Sequence, residues 1–172
     1  MIRNDSSEES FSFGKMILSG LKTFICVLLA WGLLNCFFQF SRVIGGSMKD
    51  TLQPGDLLLG IRARYIDIRK GDIVLAKKDG KTVIKRLIGL SGDKVEITEE
   101  GLFVNGEPVE TGDAGSEDNI FGEWNIEEGK AFLLGDNRES SVDSRTYGEI
   151  PVSDITGKVI FRYYPLRSVG GL

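Results

Sequence analysis

Apolar residues run almost unbroken from Leu21 to Phe40, and no comparable run recurs further along the chain. As a helix these twenty residues would extend about 30 Å, the thickness of a bilayer's hydrocarbon core. The pattern predicts one membrane crossing over residues 21–41, with Lys22 snorkelling to the interface and Trp31, Asn35 and Gln39 as tolerated exceptions. The run is longer than a signal-peptide core, and Ser41-Arg-Val-Ile-Gly-Gly46 lacks an Ala-x-Ala site, so an uncleaved anchor is expected. The polar residues 1–14 carry no apolar period and read as a mostly disordered stretch of a tail spanning 1–20. Arg3, Lys15 and Lys22 before the run are answered by Arg42 and Lys49 after it, which leaves its orientation open on charge alone.

Beyond the anchor the period shortens. Leu57–Ile61 follows Pro54-Gly55-Asp56, and Asp72–Lys77 follows Lys70-Gly71, each a short β-type run opened by a turn. Asp79-Gly80 separates two such runs, and a two-residue hairpin there pairs Ala76 with Val83, Leu75 with Ile84 and Val74 with Lys85. That register also sets Lys78 opposite Lys81 at the tip. Lys94–Thr98 alternates, Leu102–Val109 contains the hairpin pair Asn105-Gly106, and Lys130–Leu134 and Ile155–Tyr164 complete the strands. No useful helical period follows residue 41. The fold class expected is therefore mainly β, a single N-terminal transmembrane helix followed by an all-β domain of antiparallel sheets over residues 42–172.

Charge divides that domain. Residues 106–129 hold eight acids and no Lys or Arg, so a net charge of −4 conceals a remainder at +4. The acidic stretch is expected to be a loop or small subdomain. A basic body beside it is compatible with anionic lipid headgroups, and nothing points to nucleic acid. Cys26 and Cys36 both lie in the anchor, roughly 15 Å apart along a helix, beyond disulfide reach. With no histidine in the chain and no cysteine in the β-domain, a thiolate or zinc site is not expected; a carboxylate-only calcium site in the acidic stretch is left as an alternative, though no spacing there matches the known loop pattern, and no cofactor is expected.

The missing histidine also constrains catalysis. Val43-Ile-Gly-Gly-Ser-Met-Lys-Asp-Thr-Leu52 presents Ser47 after two glycines, where no Cβ obstructs an approaching group and positive φ is open. Gly-Gly-Ser is ordinary turn chemistry too. If Ser47 is activated, its base must be a lysine or a carboxylate rather than a histidine. Lys85 fits. Along Thr82–Leu90 the side chains of Val83, Lys85 and Leu87 share one face, so Lys85 sits in an apolar row with Val74 opposite. Burial without a counter-ion lowers an amine's pKa by up to 3–5 units, enough to make it a base near neutrality. Leu134–Arg145, directly after an apolar strand, adds hydroxyls and an Asp-x-Arg pair able to orient a neutral amine.

Four blocks, in order, resemble the bacterial type I signal peptidases, membrane-bound Ser/Lys endopeptidases: Gly46-Ser47-Met48 with Thr51-Leu52; Lys70–Val74; Lys85–Gly89 with Gly92-Asp93; and Gly135-Asp-Asn-Arg138 through Ser141, Asp143, Ser144, Arg145, Gly148 and Pro151. The last block is the most specific. The resemblance implies Ser47 as nucleophile and Lys85 as general base, with Ser141 hydrogen-bonded to the amine and Asp143 and Arg145 as a supporting pair. Asp136, Asn137 and Arg138 would be mainly architectural. It implies the Ser47 N–H as an oxyanion donor, and Val43, Ile44 and Ile84 as walls for small substrate side chains bound in an added strand. It further implies cleavage of secretory preproteins after a small-x-small site, with the N-terminus cytoplasmic and the β-domain outside the cell membrane. Only six residues separate Phe40 from Ser47, at most about 25 Å of chain, which would keep the serine near the lipid surface.

Three positions depart from the family pattern. Asp50 and Ser91 stand where proline is frequent, and Gly45 stands where many Gram-negative members carry a serine as second oxyanion donor. Gly45 is in that respect like the Gram-positive members. Cytosolic self-cleaving repressors share the catalytic pair, but the anchor argues against them. A catalytically idle, membrane-anchored β-domain that binds extended peptides is the alternative from another class. It would predict loss of Ser47 or Lys85, and both are present.

Overall fold

The computed structural model describes residues 6–49, 51–110 and 120–172; the first residues of the predicted tail, Asp50, and 111–119 of the acidic stretch lie outside the described residues. The chain divides into an N-terminal helix unit and a β unit beginning at Phe38. The helix, α1, runs Ser6–Phe37. Within it, Lys15–Phe37 is long and apolar enough to cross a membrane. Two expectations shift here. The helix starts well before Leu21, taking in part of the stretch read as a disordered tail, and it stops at Phe37. Phe38–Arg42 is strand β1, whose backbone bonds are made to β2, Leu57–Arg62.

The main sheet continues through β3 (Ile73–Lys78), β4 (Lys81–Leu90), β9 (Lys130–Leu134), β10 (Ile150–Pro151), β11 (Ile155–Tyr164) and β12 (Gly170–Gly171). Its order is β1-β2-β11-β3-β4-β9-β10, with β12 on β11 and neighbours antiparallel throughout. A second antiparallel sheet holds β5 (Lys94–Thr98), β6 (Gly101–Val104), β7 (Glu107–Pro108) and β8 (Gly122–Asn125), in the order β7-β6-β5-β8. The fold is mainly β, as the period predicts.

The hairpins follow the turn chemistry. Asp79 and Gly80 both take positive φ, as do Asn105 and Gly106, the backbone a tight two-residue turn needs to match strand twist. The β3–β4 register pairs Val74 with Lys85, Leu75 with Ile84 and Ala76 with Val83, as the sequence predicts. Lys78 does face Lys81, but its Nζ turns to Asp79 at 3.2 Å and stands over the Tyr147 ring, which eases the like-charge contact.

Alternation along β3 and β4 separates two cores. Val74, Ala76 and Leu87 join Leu133 and Ile155 on one face, with Val83 at the margin. Ile73 and Leu75 join Val43, Met48, Leu52 and Leu58 on the other, with Ile84 packed against them. A third cluster, built on Ile88, Val95, Phe132 and Leu134, joins the two sheets. The acidic stretch is not wholly loop: Trp124 of β8 packs on Phe132 at 5.0 Å, while Glu123 is bridged to Lys94 at 3.0 Å. At Ser91, where proline was the family expectation, the hydroxyl accepts the Gly129 N–H at 2.8 Å, so this turn is built differently rather than left loose.

Candidate active site

Ser47 sits on the loop between β1 and β2, at the mouth of a turn closed by Lys49 N–H to Gly46 and Leu52 N–H to Met48. Met48 and Leu52 anchor the turn in the core, each almost fully buried. Neither Gly45 nor Gly46 adopts the left-handed region, so positive φ is not what these glycines supply, contrary to the sequence expectation. Their use is spatial: a Cβ on either would meet no atom within 4 Å, so approach to the serine is open. The Ser47 N–H and hydroxyl make no hydrogen bonds among the described residues.

The next block holds this loop from behind. Asn137 donates its backbone N–H to the Ser47 carbonyl at 3.0 Å and its Nδ2 to the Gly46 carbonyl at 3.1 Å. Asp136 is gripped by Arg86 in a two-point pair, at 2.8 Å and 2.6 Å, and accepts the Thr51 hydroxyl at 2.6 Å. Arg162 ties the Thr51 carbonyl to Asp56, each at 3.0 Å. Gly135 is squeezed between the strands: a Cβ there would overlap the Ser141 hydroxyl and come within 2.5 Å of the Ser47 carbonyl. Only glycine lets the two serine segments lie this close.

Lys85 is 4% exposed, with the fully buried Val74 opposite in β3. Its Nζ donates to Ser141 Oγ at 2.7 Å. Burial drives its pKa from the ordinary 10.5 down to about 8; Asp143 opposes that fall, Arg145 adds to it and Asp136 opposes it. Asp143 is itself fully buried and caps the short helix α2, Ser144–Tyr147, at the Arg145 N–H. Burial raises its carboxyl pKa, but hydrogen bonds from Arg145, the Gly135 N–H and Ser141 outweigh that and hold it below the usual range. Arg145 binds both Asp143 oxygens and also donates to the Arg138 carbonyl at 2.7 Å. The result is a relay from the Lys85 amine through the Ser141 hydroxyl to a fixed, charged Asp143.

Ser47 and Lys85 line one open cleft of about 230 Å³. The volume suits a few residues of extended chain with small side chains. Val43 is buried in its floor, Ile84 is half-buried, and Ile44 stands at the rim, 88% exposed. Val142, itself exposed, also lines it. Among the described residues two strand edges that line it are unpaired, because β1 is the edge of its sheet and β9 pairs with β4 only from Arg86 onward, leaving Thr82–Lys85 without a strand partner on that side. The Lys85 amine is bonded to Ser141 rather than to Ser47 in this state. Sequence reasoning missed Asn137 as the clamp on the serine loop, Arg86 as the partner of Asp136, and Ser144, whose hydroxyl accepts the Leu133 N–H.

The β-domain thus sets a buried lysine of lowered pKa and an open serine in one cleft. Residues 16–164 match the family model described as signal peptidase, peptidase S26, and the chain belongs to that family. It is 36% identical over 151 residues to "Signal peptidase I" of Bacillus caldolyticus, covering 76% of this chain and 82% of that one. It is 34% identical to "Signal peptidase I" of Bacillus licheniformis, covering 84% and 87%, and 31% identical to "Mitochondrial inner membrane protease subunit 1" of Xenopus tropicalis, covering 80% and 78%. A crystal structure of a signal peptidase I from Enterococcus faecalis V583 aligns with 54% of this chain and 97% of its own, at 27% identity and a TM-score of 0.47.

Proposed function

We propose that this chain is a membrane-anchored serine endopeptidase that removes signal peptides from exported preproteins after a small-x-small site, with Ser47 as nucleophile and Lys85 as general base. One observation carries the reading: the Lys85 amine is buried, lowered to about 8, and lines the same cleft as an unengaged serine. The preprotein's cleavage region lies extended between the two free strand edges, adding main-chain hydrogen bonds on both sides. Val43 and Ile84 leave room for small side chains in the cleft.

In the reaction, the neutral amine donates to Ser141 and keeps its lone pair for the Ser47 proton. Contacts of this kind tighten when substrate fills the cleft, which brings base and hydroxyl together. Ser47 Oγ attacks the scissile carbonyl, and the Ser47 N–H binds the oxyanion, a donor worth a few kcal/mol at the tetrahedral stage. The ammonium, stabilised by Asp143 through Ser141, passes its proton to the leaving amine. Lys85 then activates water to hydrolyse the ester. Ser141, Asp143 and Arg145 keep the amine aimed throughout.

The helix α1 spans the cell membrane once, its N-terminus cytoplasmic and the β-domain outside, so lipid and the apolar segment of the preprotein are the partners. Incubation with a secretory precursor, read by product mass, tests the assignment. A cut just after a small-x-small site, abolished in both Ser47→Ala and Lys85→Ala, is the expected result. Full activity in either variant rejects the mechanism.

A further inference from the structure

Among the described residues the cleft contains two ionisable side chains, Arg42 and Lys85, and no acid. Lys85 is buried and committed to Ser141. Arg42 is different. It is exposed, and it makes no hydrogen bond or ion pair among the described residues. Arg86, Arg145 and Arg162 by contrast each grip a carboxylate. The second cavity that Arg42 borders is bounded by Pro54 and Gly55 and offers no acid either, and Asp56 just beyond is taken by Arg162 and the Gln53 N–H. Among the described residues, five guanidinium donors are thus unspent at the edge where substrate would lie.

Strand geometry says which substrate residue they face. Val43 points into the core beside Met48 and Leu58, so its neighbours Arg42 and Ile44 point outward. A peptide laid along this edge alternates in the same way. Its inward side chains meet Val43 and Ile84, the walls for the two small residues. The residue between them points outward, past Arg42 and the aliphatic Ile44.

Resting on the proposed function, we propose that Arg42 is a specificity residue that reads the charge of the middle residue in small-x-small. It selects for Glu or side-chain carbonyls there and against Lys and Arg. The aliphatic flank of Ile44 accommodates the stem of a Glu or Gln. Exposed charge contacts of this kind change rates roughly two- to five-fold each, so Glu over Lys should give about a five- to ten-fold ratio in kcat/KM at low salt. The ratio should shrink towards one at 1 M salt, where the screening length is about 3 Å.

Three precursors differing only at the middle position, Glu, Gln or Lys, test this with the full chain in detergent. The wild type should rank them Glu, Gln, Lys; Arg42→Gln should flatten the series and Arg42→Glu should invert it, while Arg42→Lys keeps the order. Each variant is judged by its own Glu-to-Lys ratio, so a general loss of activity cancels. If the wild type cuts all three equally, or if its preference survives high salt unchanged, the role of Arg42 is overturned. If it cuts none of them, the peptidase assignment itself fails instead.

Discussion

Replacing Lys85 by Met removes a charge that the fold holds at a cost. The fall from 10.5 to about 8 corresponds to about 3 kcal/mol of penalty on the protonated amine in the folded state. The sign follows from linkage. Below pH 8 both folded and unfolded chains carry the proton, and the penalty is present in full. As pH rises from about 8 to 10.5, the folded amine loses its proton first, the unfolded chain binds more protons, and the penalty disappears. Lys85→Met also forfeits the bond to Ser141, about 1 kcal/mol. The variant should therefore be more stable than the wild type by about 2 kcal/mol at pH 7 and less stable by about 1 kcal/mol above pH 10.5. Urea unfolding of the full chain in micelles, followed by near-ultraviolet circular dichroism across that pH range, measures the crossover. A stability difference independent of pH would refute the claim that burial strains this amine.

Two further substitutions probe how the site is held. Gly135→Ala places a methyl against the Ser141 hydroxyl and the Ser47 carbonyl. It should cut kcat/KM by about a hundredfold, the scale of a 1 Å misplacement, with a smaller change in melting temperature than Arg86→Met causes. Arg86→Met strands Asp136, whose side chain is 3% exposed, without its ion-pair partner. Removing one member of such a pair costs about 3–5 kcal/mol, and calorimetry of the purified variant should show it.

Local chemistry made much of this fold legible. Asp79-Gly80 specifies the β3–β4 register residue by residue, and alternation along β4 alone puts Lys85 in its apolar row. Strand β1 was hidden because Phe38-Gln-Phe40 continues the apolar anchor without a break, and hydrophobicity alone does not distinguish the end of a buried helix from an edge strand. β8 was hidden for the opposite reason: Gly122-Glu-Trp-Asn125 has one apolar side chain, and its place depends on Trp124 finding Phe132. The grip of Arg86 on Asp136 joins residues 50 apart, and that of Thr51 on Asp136 joins residues 85 apart. No periodicity reports such pairs. The bond from Lys85 to Ser141 came from family resemblance rather than spacing, and the clamp of Asn137 on Gly46 became visible only in three dimensions.

In the proposed mechanism one shielded nitrogen, mostly neutral just above physiological pH, removes the proton from Ser47. With an amine at about 8, about a tenth of the enzyme is in the active form at pH 7, against about one part in three thousand at 10.5. The pH profile of kcat/KM for precursor cleavage reads the free enzyme's base directly. An ascending limb with an apparent pKa close to 8 is expected; a limb near 10.5, or a rate that does not vary with pH, would rule out Lys85 as the base.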